Sequence, residues 1–435
     1  MFAGLFQFYR HNRRKIVTTM GTLTACYFLI RYILNRRREA FEYQQYLIRQ
    51  KIKKKYLQTQ QDCIFTIVGL LPTLSKGIYS LEPVEDITKK LISKRKKKGE
   101  NATNTTGSLT TGTEISVGGT VFDTSESKPE AESPDNNSKS TNEVSKQHLW
   151  NDLKVKALAR LLTSVYSYCL LVILVRLQLN LLARKDYLET AMEAANIEVE
   201  DLVGDRGHVE YVVEQSYLAL SWWLVNHGYV TIYKKCTEAI KLVFKDVNAR
   251  TEVTFNEFST LIAKTQELID KSFLVNNEDF IEQCILPPEN KEFEVVSRHR
   301  ADILGNDNDD VNISAEEIIA HENFRVLIRE TRDYINTDAL NIVLVNMVTS
   351  SIGKFLNNCS DILFEENQDD DDLNAEKIEL QLITYRIKLV KILSIIMKEN
   401  NKICEASNTN EYVQVMSSVP ELEEYTASVY SNFSI

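Results

Sequence analysis

The side chains best suited to chemistry in this chain are its cysteines and histidines, and their spacing limits what they could do. The seven cysteines lie far apart, form no CxxC pair and mostly fall within apolar stretches, so we expect buried thiols in a reducing compartment. The six histidines are equally isolated and lack the spacing of metal ligands. The sequence therefore predicts neither a metal site nor a disulfide framework.

Motifs that hold phosphate groups or activate a nucleophile are also missing from the sequence. It has no Walker A motif, GxGxxG, HExxH or GxSxG. The stretch from Asn306 to Glu317 resembles a calcium-binding loop in composition, but it lacks the central glycine and the alternating ligands. We therefore predict no catalytic residue and no cofactor, and we favour a binding or scaffolding protein over an enzyme.

The charge of the chain is distributed unevenly between its two ends. The net charge is −10, yet residues 1–100 hold 21 Lys and Arg against 7 Asp and Glu. A basic head is typical of proteins that bind nucleic acid or an anionic membrane surface. Because the basic runs flank an apolar stretch and the remaining body is acidic, we predict a membrane lipid surface and no nucleic acid as the partner of this head.

The apolar stretch at residues 16–34, IVTTMGTLTACYFLIRYIL, predicts a transmembrane anchor that follows a short basic tail at residues 1–15. Its length just spans a bilayer at 1.5 Å per residue, and its only charge, Arg31, lies close enough to the end to reach the headgroups. The apolar run continues beyond any small-residue cleavage site, which disfavours a secretory signal. The more basic downstream flank predicts a single-pass protein with its bulk in the cytosol.

Beyond the anchor, hydrophobic periodicity and scarce proline predict an all-α fold, an elongated cytosolic bundle of long helices. Residues 35–98 form the juxtamembrane and first bundle helices in this prediction, with a helix stop at Pro72. Residues 99–146 are rich in Ser, Thr, Asn and acidic residues, so we predict a disordered polar loop. Residues 147–435 then form the core of the bundle.

A long apolar helix pattern begins at residue 149, and Trp150 does not fit its buried stripe. At about 100° per residue, Leu158 and Leu162 share one face while Trp150 lies roughly a quarter turn away. That geometry places the indole at the edge of the core. Two interpretations stay open on spacing alone: a tryptophan that caps the core from its rim, or an exposed anchor for a partner.

Four stretches of the sequence together resemble the peroxin-3 family, in register from the anchor to the C-terminus. They are KKYLQTQQDCIFTIVGLLP at 54–72, LWNDLKVKALARLLTSVYSYCLLVILVRLQLNLLARKDYL at 149–188, YLALSWWLVNHGY at 217–229 and TASVYSNF at 426–433. The resemblance implies a peroxisomal membrane protein with one span and a cytosolic helical bundle. It also implies a docking receptor for peroxin-19, the farnesylated chaperone that delivers peroxisomal membrane proteins.

The resemblance further implies which residues bind the chaperone's amphipathic N-terminal helix. The family's groove tryptophan corresponds to Trp150, its flanking lysines to Lys146 and Lys154, its leucine to Leu153, and the wall from the preceding helix to Leu91. With the resemblance, Trp150 is favoured as a partner anchor, and the lysines are expected to steer an acidic helix. The alternative role is a peroxisomal scaffold that recruits adaptors for organelle inheritance and pexophagy.

Overall fold

The computed structural model describes most of the chain, and almost all of what it describes is helical. The described residues are 2–81, 83–100, 114–117, 120–123, 136–194, 205–248, 250–274, 279–304, 313–365, 384–407 and 409–431. The all-α prediction is confirmed. In chain order the α-helices described are α1 (Phe2–Leu81), α2 (Val84–Glu100), α3 (Asn136–Ala194), α4 (Asp205–Leu218), α5 (Ser221–Trp223), α6 (Tyr229–Val243), α7 (Phe255–Leu274), α8 (Phe280–Ile285), α9 (Glu289–Leu304), α10 (Ala315–Ala320), α11 (Glu322–Ile335), α12 (Asp338–Glu365), α13 (Leu389–Ile403), α14 (Glu411–Ser417) and α15 (Pro420–Ser431).

Strands occur only as two short antiparallel ribbons in the described part of the chain. Strand β1 (Glu114–Val117) pairs with β2 (Thr120–Asp123), and β3 (Glu252–Thr254) pairs with β4 (Arg386–Lys388). The first ribbon falls inside the segment predicted as a disordered loop, and α3 begins ten residues before that segment was expected to end. The rest of the predicted loop, at 101–113, 118–119 and 124–135, lies outside the described residues.

The chain divides into two compact units at points that the sequence did not indicate. One consists of Met1–Gln58 with Ala183–Asp201, and the other of Thr59–Leu182 with Leu202–Ile435. The segment boundaries predicted from the sequence stay predictions. They follow the hydrophobicity and polarity of the chain, whereas the two units are defined by packing.

The apolar part of α1 is not covered by protein. Every described side chain from Met20 to Leu47 is exposed, and Phe28 and Leu23 expose 64% and 70% of their surface. Among the described residues, three helices are long and apolar enough to cross a membrane, and their apolar windows are 28% buried in α1, 100% buried in α3 and 44% buried in α12. Burial thus separates an exposed apolar helix at the N-terminus from apolar helices that serve as protein core.

Helix α1 runs through Pro72, so the predicted stop at this residue is wrong. Proline removes one backbone hydrogen bond, and a helix tolerates that loss when packing on both sides holds it in place. Leu71 and Leu74 are completely buried next to the proline, and Ile78 one turn later is 1% exposed. The helix instead ends at Leu81, just before Pro83.

Helix α3 is the centre of the bundle. All residues from Ala157 to Gln178 are buried, on every face of the helix. An all-round apolar surface of this kind is characteristic of a helix surrounded by others. Between Ala157 and Gln178 the helix therefore has no exposed face. A buried face and a more exposed face can be distinguished only near Trp150, where α3 emerges from the core.

Candidate partner-binding site

Three side-chain contacts set the register of α3 against α1 and α2. Gln60 donates to Asn180 over 3.0 Å, the hydroxyls of Ser75 and Tyr168 are 2.6 Å apart, and Arg160 donates to Glu85 over 2.9 Å. The numbers rise along α1 and α2 as they fall along α3. Helices α1 and α3 are therefore antiparallel, and the contact of Arg160 with Glu85 joins the start of α2 to α3.

Three of the residues predicted for the groove, Leu91, Leu153 and Trp150, belong to or pack against the hydrophobic core. Leu91 and Leu153 are 4% and 1% exposed, so they form the floor of this region rather than its surface. Trp150 is half-buried and packs against the core at the point where α3 enters it. Lys146 belongs to α3, but its side chain lies outside the described residues. The indole is thus the member of this set that combines an apolar contact with an accessible face.

Lys154, which the resemblance implied as a residue that steers a partner, is buried in the structure. Its ammonium is buried, with 3% exposure, and donates to the carbonyl oxygens of Phe244 and Val247 over 2.7 and 2.6 Å. Phe244 is the C-cap of α6, so the cation satisfies carbonyls that a helix end leaves without partners. Burial lowers the pKa of Lys154. The expected solvent-facing position of this lysine is corrected, and its contact with a partner stays a prediction.

Arg160 is a structural residue of this region that the sequence reasoning missed. Its guanidinium is 2% exposed, bonds to Glu85 and lies 4.4 Å from the ring centre of Tyr79. The ion pair holds the pKa of Glu85 below its usual value against the opposing effect of burial. An arginine within a long apolar helix was the available signal, since such a charge requires a partner when it is buried.

Exposed charges occur on α2 and on the part of α3 around Trp150. On α2, Lys89, Lys90 and Lys94 are exposed. On α3, His148 lies 3.2 Å from Asp152 one turn later, with both side chains largely in solvent. Exposed charges of this kind contribute little to stability and more to the approach of a charged partner.

The described residues offer no chemistry beyond binding. Within the described ranges, no group of three or more His, Cys, Asp or Glu side chains could hold a metal ion. Five of the seven cysteines are buried free thiols, as predicted. Burial raises the pKa of Cys63, Cys236 and Cys284 to about 12, which keeps these thiols protonated and unreactive.

Comparison with known proteins decides the family. The model of the peroxin-3 family matches residues 7–432, nearly the whole chain. The chain belongs to the peroxin-3 family. The resemblance drawn from the four sequence stretches is thereby confirmed.

Relatives in this family match over their full length. Peroxisomal biogenesis factor 3 of Debaryomyces hansenii is 28% identical over 100% of this chain and 99% of its own. Peroxisomal membrane protein PEX3 of Komagataella phaffii is 30% identical over 99% and 98%. The peroxisomal biogenesis factor 3 of Bos taurus is 20% identical over 100% and 98%. This peroxin-3 family member is a non-enzymatic peroxisome biogenesis factor and a peroxisomal membrane protein.

Proposed function

We propose that this chain is the membrane-anchored docking receptor for cargo-loaded peroxin-19, and that the chaperone's N-terminal helix binds at Trp150. Docking would bring newly made peroxisomal membrane proteins to the membrane that is to receive them. The observation that carries the proposal is the half-exposed indole at the point where the central helix leaves the core.

The setting of Trp150 is suited to binding a partner helix. The residue lies two turns before the completely buried part of α3, which begins at Ala157, so the helix that carries the indole is held in place before the partner arrives. A large aromatic on such a support buries apolar area at little cost in conformational entropy. Leu91 and Leu153 are buried apolar residues, and in this proposal they form the floor of the groove that receives the helix.

The proposed electrostatic steering rests on the lysines of α2 rather than on Lys154. Lys89, Lys90 and Lys94 are exposed, while the charge of Lys154 is used inside the fold. An acidic partner helix would be attracted by these exposed charges, which would raise its association rate at low salt. Lys146 is proposed to contribute in the same way.

The proposed topology is a single span with the body in the cytosol. The exposed apolar segment of α1 supplies the span, and the basic residues after it favour the cytosolic side. Delivery in this scheme needs only binding at the membrane and release.

A binding titration tests the proposal. Full-length chain in lipid nanodiscs is titrated with the N-terminal helix of peroxin-19, for the wild type and for Trp150→Ala. We expect the substitution to weaken binding by about 2 kcal/mol or more, roughly 30-fold in Kd, because it removes the central apolar anchor.

Trp222→Ala is the matched control. Trp222 is also half-buried, and its ring lies 4.5 Å from the guanidinium of Arg298 in another part of the fold. We expect this variant to bind as the wild type does. Equal binding by folded Trp150→Ala would contradict the proposed site, and no binding by the wild type would favour the alternative role as a scaffold for inheritance and pexophagy adaptors.

A further inference from the structure

A second surface cleft, separate from the residues around Trp150, lies between α7 and α12. It has a volume of about 410 Å³ and is lined by Ala263, Gln266, Glu267, Asp270, Lys271, Leu274 and Val345. The residues from α7 recur at intervals of three and four, so they form one stripe along that helix. None of them belongs to the proposed chaperone site.

The contacts between the helices give the cleft its shape. Gln266 donates to the hydroxyl of Thr349 over 2.8 Å and closes one end. Val345 lines the cleft one turn before Thr349 on α12. Ile342 lies three residues before Val345 on the same helix, and 56% of its surface is exposed. The lining thus combines the aliphatic residues Ala263, Leu274 and Val345 with polar residues of α7, and the exposed Ile342 lies beyond Val345.

A half-buried carboxylate lies among these lining residues. Asp270 accepts a hydrogen bond of 2.6 Å from the hydroxyl of Tyr166, a fully buried residue of the central helix α3. The ring of Tyr166 packs on Phe273 with centres 5.2 Å apart, which fixes the hydroxyl that orients the carboxylate.

No cation of the described chain neutralises Asp270. The nearest lysine along α7, Lys271, is bonded to Glu267 over 2.7 Å. Desolvation raises the pKa of Asp270 despite hydrogen bonding to Tyr166 and Gln266, as expected for a carboxylate without a cationic partner. An acid kept in this position costs stability, and a cation from another molecule would offset that cost.

We propose that this cleft binds an amphipathic helix of a partner protein that carries a lysine or arginine within its apolar stripe. The basic side chain would bond to the carboxylate of Asp270, and the flanking apolar residues would cover Leu274, Val345 and Ile342. The stripe from Ala263 to Leu274 extends over about 16 Å, the length of three turns of a partner helix. A groove between two helices that receives a third is a common mode of recognition.

A pair of peptides tests the charge requirement. Each probe is an amphipathic peptide of about four helical turns, with leucines along one face and either lysine or glutamine at the centre of that face. Both are titrated by fluorescence anisotropy against full-length chain in nanodiscs that carries Trp150→Ala, so that binding at the proposed chaperone site does not contribute. We expect the lysine peptide to bind about tenfold more tightly, as one charge-assisted hydrogen bond would provide.

Three variants on the same background locate the effect. Asp270→Asn keeps an acceptor for Tyr166 but removes the charge, so it should abolish the preference for lysine. Ile342→Asp should weaken both peptides, because it replaces an exposed apolar side chain with a charge. Glu238→Gln removes an exposed carboxylate of α6 that lies 3.6 Å from Lys235 and outside the cleft. This control variant should leave both affinities within about twofold.

Two results would overturn the proposal. One is a preference for lysine that persists in Asp270→Asn, and the other is the absence of lysine-peptide binding up to about 1 mM. Sedimentation of each sample adds a third criterion: a wild-type dimer that Asp270→Asn converts to monomer would assign the cleft to a second copy of the chain. Because Trp150 is already replaced, none of these results depends on the proposed docking of peroxin-19.

Discussion

At the residue scale, the buried Lys154 and the half-buried Asp270 differ in how fully the protein satisfies their charges. Lys154 is enclosed by carbonyl oxygens of Phe244 and Val247, which its ammonium satisfies. Asp270 has a hydroxyl partner, Tyr166, but no cation among the described residues. Lys154 therefore stabilises the fold locally, whereas Asp270 is stabilised only in part and retains capacity for a ligand.

Lys154→Met should destabilise the fold. The methionine is of similar length but cannot donate, so the carbonyls of Phe244 and Val247 would lose a hydrogen bond in a buried position. We expect the free energy of unfolding to fall by about 1–3 kcal/mol, measured by urea denaturation. Lys156→Met, at a half-exposed position of the same helix, should change it by less than about 0.5 kcal/mol. Equal effects of the two substitutions would contradict the capping role.

Asp270→Asn should stabilise the fold at neutral pH. The pKa of Asp270 is raised above its ordinary 3.8, so between 3.8 and the folded-state pKa the native state binds more protons than the unfolded state. Stability contributed by this group is thus present at low pH and lost as pH rises through the folded-state pKa. The difference in unfolding free energy between variant and wild type should therefore grow from below pH 3.8 to pH 7, and a pH-independent difference would refute this explanation.

At the element scale, close packing decides where a helix can change its geometry. A π-helical turn at Leu224–Gly228 joins α5 to α6, and a Cβ added at Gly228 would clash with the carbonyl oxygen of Cys284. Glycine is thus required here by the approach of α8 rather than by backbone conformation. The helical path continues through this glycine with one wider turn.

Gly228→Ala and Gly353→Ala should have opposite effects on stability. The first substitution forces α8 away from the π-helical turn, which costs about 1–3 kcal/mol. The second lies within α12 with nothing within 4 Å of the added Cβ, so better helix propensity should stabilise the fold by up to about 1 kcal/mol. Thermal unfolding of both variants measures the difference. Stabilisation by both would mean that the contact with Cys284 relaxes freely.

At the scale of the whole molecule, burial distinguishes an exposed apolar segment from an apolar core helix. The apolar window in α3 has a mean hydropathy of 1.9 and is wholly buried, whereas every described side chain from Met20 to Leu47 in α1 is exposed. An exposed apolar helix requires another apolar environment, which a bilayer supplies. The same argument supports the proposed anchor at residues 16–34.

The proposed orientation makes a prediction for intact organelles. Protease added outside intact peroxisomes should digest the body of the chain, and removal of residues 16–34 should release the body into the soluble fraction. The sequons that begin at Asn101, Asn104, Asn136, Asn312 and Asn432 should stay unmodified, because a cytosolic body does not meet the glycosylation machinery. A mobility shift on endoglycosidase treatment would contradict this orientation.

The sequence by itself determined the helical class, the family and the presence of an exposed apolar segment, because each follows from local pattern. Periodicity reports which residues favour helix, and length and composition report what could span a bilayer. The same local information predicted a stop at Pro72, which is wrong because the packing of Leu71 and Leu74 holds the helix through the proline. The role of Lys154 came from the family resemblance and stays a prediction, whereas its hydrogen bonds to the carbonyls of Phe244 and Val247 depend on the tertiary structure.

Only the tertiary structure decided which apolar helix is enclosed and which charges meet across the fold. The pairing of Arg160 with Glu85 and of Tyr166 with Asp270 joins residues separated by 75 and 104 positions, and no spacing rule along the chain connects them. The cleft between α7 and α12 exists for the same reason, since its walls come from distant segments. Local pattern sets the elements, but burial and partnership are properties of their packing.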